Sequence, residues 1–147
     1  MGTPFSEIYV RASFRFTDYD MLSMDFSQRF QILDQYLRMA EADFRKSCPF
    51  DLDNRNEDEQ CYVEKLDSES IDILSLGVAY YWLNKRLVNS DVLINNMSTK
   101  EYTFFSNANL IREMNELRDS LWKQFKNKIL EYSYYNGDFA TMKVGAK

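Results

Sequence analysis

The chain contains no histidine, and its 147 residues include only two cysteines, two prolines and four glycines. Without histidine no imidazole base is available within one subunit, and Cys48 with Cys61 falls short of the ligand set of a structural zinc site. The opening Met1-Gly2-Thr3-Pro4-Phe5 has neither the basic patch nor the apolar core of a signal peptide. Synthesis in a reducing cytosol is therefore expected, with both thiols free. So few glycines leave no phosphate-cradling run and no Gly-x-Ser-x-Gly elbow. No apolar run approaches the roughly 18–20 residues that span a membrane. Nor is there a block of Lys or Arg suited to a phosphate backbone. Acids (23) outnumber bases (18), mixed along the chain, for a net charge of −5, which disfavours a direct grip on nucleic acid. None of these patterns implies a cofactor.

What the chain does have is aromatic residues, at 16%, and rings in that number must be packed in a core or an interface. The length fits one domain over 1–147, and the periodicities predict a mainly α fold. Four to five helices are expected, with an irregular acidic loop or short β-hairpin and an extended C-terminal tail. A first helix over Phe5–Phe14, capped by Thr3 with Pro4 in its first turn, presents Phe5, Ile8, Tyr9 and Ala12. It breaks at Thr17–Asp20. A second runs from Ser23 or Asp25 to Lys46 with a stripe of Phe26, Phe30, Leu33, Leu37, Ala40 and Phe44, bounded by Pro49. Asp67 or Ser68 caps a third, whose stretch Ile71–Leu83 is apolar almost all round and hence central. There Gly77 permits a close helix crossing, and Tyr80, Tyr81 and Trp82 read as core. Ser90 is expected to cap a short helix ending at Asn95 or Asn96, and Ser106 a long one reaching about Tyr135. That last helix carries Leu110, Met114, Leu117, Leu121, Phe125, Ile129 and Tyr132 at steps of three or four. Its acids Glu113, Glu116 and Asp119 precede Lys123, Lys126 and Lys128, in the sense the helix dipole favours, and Asp119 is spaced to pair with Lys123.

Two segments stand out as candidate sites. The acidic stretch Asp51–Glu59 matches an EF-hand at Asp51 and Asp53, then fails at Arg55, at Asn56 where a glycine is needed, and at Tyr62 where a bidentate Glu belongs. Glu57, Asp58 and Glu59 are adjacent on a loop and diverge, so no acid/base pair is fixed there. Residues 60–66 alternate weakly through Cys61 and Val63 and suggest a brief strand, open to pairing with a neighbouring subunit. The second segment is the aromatic ending, Tyr132, Tyr134, Tyr135, Asn136, Gly137, Asp138 and Phe139, for which local packing and an intersubunit contact are both open. Two further classes are compatible with the residues. One is a helical adaptor holding a partner helix between its second and third helices; the other is a carboxylate-based hydrolase using Asp51 or Asp53.

Several strings occur in succession: Pro4–Tyr9, Phe16–Tyr19, Ile73–Val78 followed by Tyr81-Trp82-Leu83, Lys100–Asn109, and Tyr132–Asp138. Taken together and in order, across nearly the whole chain, they resemble the small helical head-to-tail connector proteins of tailed bacteriophages, also called adaptor, neck or ring proteins. The resemblance implies a structural virion protein without enzymatic activity. It forms a homo-oligomeric ring of about twelve copies beneath the portal protein, joins it to the next neck or tail protein, and passes double-stranded DNA without specific binding and without contact to a membrane. A second-tier neck ring or tail-completion protein fits the same resemblance. By position, Tyr132, Tyr134, Tyr135, Asn136 and Phe139 would dock on the portal. Asp51, Asp53, Arg55, Glu57, Asp58 and Glu59 would face the channel or the tail.

Overall fold

The computed structural model describes residues 2–15, 26–96 and 101–134, which form four helices and a three-stranded sheet. Helix α1 spans Phe5–Ser13, α2 Phe26–Phe44, α3 Ser68–Asn96 and α4 Glu101–Tyr132. Strand β1 is Thr3–Pro4, β2 Arg55–Asn56 and β3 Cys61–Tyr62. The mainly α expectation holds, and no described helix is long and apolar enough to cross a membrane.

Helix α3 is the axis of the fold, packed by α1, α2 and α4. Ile71, Ile73, Leu74, Leu76, Val78, Ala79, Trp82, Leu83 and Leu87 are all buried along it, as a helix apolar on every side requires. Its start is the predicted one: Asp67 accepts a hydrogen bond from the Ser70 N–H at 2.8 Å, which satisfies one orphan donor of the first turn. Its end is not. The helix continues through Ser90 to Asn96, with neither Gly nor Pro between Leu83 and Asn96 to stop it, so the separate short helix is absorbed. Likewise α4 begins at Glu101, five residues ahead of the expected cap, and Ser106 lies inside it.

Helices α2 and α4 cross α3 at Gly77. A Cβ there would stand 2.5 Å from the Ala40 Cβ and 3.0 Å from Cε1 and Cζ of Phe125, closer than packed carbons approach. The groove a partner helix would need between the second and third helices is thus filled at its centre by the chain's own contacts. The buried stripe of α4 is Leu121, Phe125, Ile129 and Tyr132, extended by half-buried Met114 and Arg118. Leu117 is 39% exposed and departs from the predicted stripe, because Arg118 takes the inner position and reaches Asn84 on α3 at 3.4 Å.

The sheet corrects the start of the chain. Thr3 does not cap α1; its side-chain oxygen accepts from the Leu66 N–H at 2.8 Å, and its backbone pairs with Tyr62. Pro4 occupies the cap position in extended conformation with no side-chain cap bond, and the Phe5 N–H donates instead to the Gln60 carbonyl at 2.9 Å. Sheet order is β1-β3-β2, all antiparallel. Strand β3 is occupied on both sides within the chain, which overturns the expectation that it pairs with a neighbouring subunit. In the β2–β3 turn, Gln60 adopts a left-handed φ of 53°, a region that costs a side-chain-bearing residue about 1–2 kcal/mol. Gln60→Gly is expected to raise stability by up to about 1 kcal/mol after the added freedom of the unfolded chain is subtracted, read as a higher urea midpoint at unchanged slope.

Candidate functional site

Residues 51–64 carry six carboxylates and one arginine, a net charge of −5 equal to that of the whole chain. The remainder of the protein is therefore neutral overall, and its acidity is a property of the β2–β3 hairpin and its flanks. Helix α2 receives the hairpin on a polar stripe at steps of four and three, Asp34, Arg38 and Glu41, continued four residues on by Arg45 in the turn just past its end.

At the centre of this contact is Arg55, whose side chain is only 6% exposed. Its Nη2 lies 2.6 Å from Asp34 and its Nη1 2.7 Å from Glu41. Its Nε is 3.3 Å from Glu57 but not aligned for a hydrogen bond. The guanidinium also stacks over the Phe5 ring at 4.4 Å and lies 5.7 Å from that of Tyr62. Phe5 and Tyr62 meet edge to face at 4.9 Å. Arg38 closes the circuit by bonding Asp34 at 2.9 Å and Glu57 at 3.0 Å. Planar, always charged and weakly hydrated, arginine suits such a buried fork better than lysine.

Two guanidiniums against three carboxylates leave this cluster one negative charge in excess. Glu41 bears the consequence: it is 3% exposed, and burial pushes its carboxyl pKa up, partly offset by the Tyr62 hydroxyl that donates to it at 2.6 Å and by Arg55 and Arg38. Burial and the Glu41 charge in turn keep the Tyr62 phenol protonated, its pKa well above the ordinary value. Burial, with Asp34 nearby, does the same for Tyr9. The two phenols thus stay neutral, and Tyr62 keeps the proton it donates to Glu41. The arrangement locks a hairpin to a helix and offers no poised nucleophile or base.

The sequence-derived loop residues accordingly divide. Asp51 is exposed and accepts the Asp53 N–H at 3.1 Å, and Asp53 meets Arg45 at 2.8 Å on the surface. Asn56 accepts from the Asp58 and Glu59 N–H groups, each at 3.1 Å, and so shapes the turn. Asp58 and Glu59 are exposed and, among the described residues, have no basic partner. Glu57 is spent on Arg38 and Arg55. Arg55 was expected to face a channel or the tail; it is a buried lock instead, because three carboxylates and two rings surround it. No group of acidic and cysteine residues among those described is arranged to hold a metal ion.

The C-terminal candidates divide as well. Tyr132 is 2% exposed and belongs to the core, packed edge to face on Phe44 at 5.4 Å. Its hydroxyl donates to Asp67 at 2.9 Å and accepts from Ser70 at 3.2 Å, which fastens the end of α4 to the cap of α3. Burial and the bond to Asp67 push its pKa up to about 12. Tyr132 is thus removed from the docking set. Two residues on, Tyr134 is 47% exposed and Leu130, one turn back, 68%. Tyr135, Asn136 and Phe139 lie outside the described residues. Cys48 and Cys61 are free and half-buried, and burial raises the Cys48 thiol to about 11, which suppresses its reactive thiolate.

The Arg55 lock is the feature sequence reasoning missed. Its signals were an arginine alone in an acidic run and an alternating charge stripe on α2.

No family model, curated protein or solved structure matches the chain.

Proposed function

We propose that the chain is a structural protein of the head-to-tail connector of a tailed bacteriophage, a virion component that assembles as a ring between portal and tail. The reading rests on the ordered string resemblance. The structural observation that carries it is the end of α4: Leu130 and Tyr134 present apolar surface to solvent at 68% and 47% exposure, immediately ahead of the aromatic residues Tyr135 and Phe139. Large exposed apolar side chains beside a further aromatic segment suit an assembly contact. The work is passive. Interface energy joins the portal to the next neck or tail protein, no bond is made or broken, and a ring of acidic subunits passes DNA without holding its phosphates.

Burial of Tyr132 dictates how the docking segment is removed. A chain ending at Tyr134 is expected to keep its helical circular dichroism and melting temperature while losing complex formation with the portal of the same virus, measured by light-scattering mass of the mixture. A chain ending at Glu131 loses a core ring and two hydrogen bonds and is expected to melt at least several degrees lower. Portal binding undiminished in the chain ending at Tyr134 would remove the tail from the interface. Failure of the full chain to bind portal would remove the connector reading.

A further inference from the structure

We draw no further inference here: the strongest candidate, the apolar surface patch that Val10 and Phe14 expose one turn apart at the end of α1, carries none because nothing in the structure shows what covers it.

Discussion

Arg55→Ala is expected to destabilise the subunit by about 3–5 kcal/mol at neutral pH, because it leaves the buried carboxylate of Glu41 with the Tyr62 hydroxyl as its donor and only the more distant charge of Arg38 to offset it. Chemical denaturation at several pH values checks both the size and the cause. The sign follows from Glu41. Its folded pKa lies above the ordinary carboxylate value, so its contribution to stability is fully present below the unfolded pKa and is lost as pH rises through the folded one. Removing the guanidinium takes away a charge that lowers this pKa. The variant should then recover stability on acidification from a higher pH than wild type does. Adding Glu41→Gln to the variant, which keeps an acceptor for Tyr62 without a charge to desolvate, is expected to return much of the loss and to abolish the recovery on acidification. A variant whose deficit is the same at every pH would show that Arg55 acts through its stacking on Phe5 alone.

Gly77→Ala should cost at least about 1–3 kcal/mol, although alanine favours a helix over glycine by about 1 kcal/mol. The added methyl meets the Ala40 Cβ at 2.5 Å, and a Cβ cannot swing aside, so α2 or α3 must shift as a body. Relief should come from Ala40→Gly in the same chain, where the clash is gone and the two substitutions couple strongly in a double-mutant cycle. Additive losses would place the strain on the Phe125 ring, which approaches the same methyl at 3.0 Å.

Both sites show which parts of the molecule its sequence disclosed. Helical stripes on α1 and α2, the apolar centre of α3 and its Asp67 cap were legible because period and cap chemistry are local. Gly77 was legible because a glycine inside a strong helix has few other uses. Helix ends at Ser90 and Ser106 misled, since a serine that resembles a cap is also tolerated within a helix when no Gly or Pro stops the chain. Thr3 was assigned to the nearest helix, whereas a strand partner more than fifty residues away claims it. The Arg55 lock failed for the same reason: its carboxylates lie on α2 and become neighbours only when the hairpin folds back. Tyr132 was read as interface because aromatic residues cluster after it, but a helix phase puts Tyr132 inward and Leu130 and Tyr134 outward.

The cap of α1 also has a consequence in time. Its first N–H is satisfied by Gln60, and Thr3 is joined to Leu66 across 63 positions, so α1, which leaves the ribosome ahead of α2, α3 and α4, is finished only after the hairpin and the entry to α3 have emerged. Pairings of such long range form late, once the loop between them has been closed. Helix α1 is thus made before the other described helices yet is among the last to be secured.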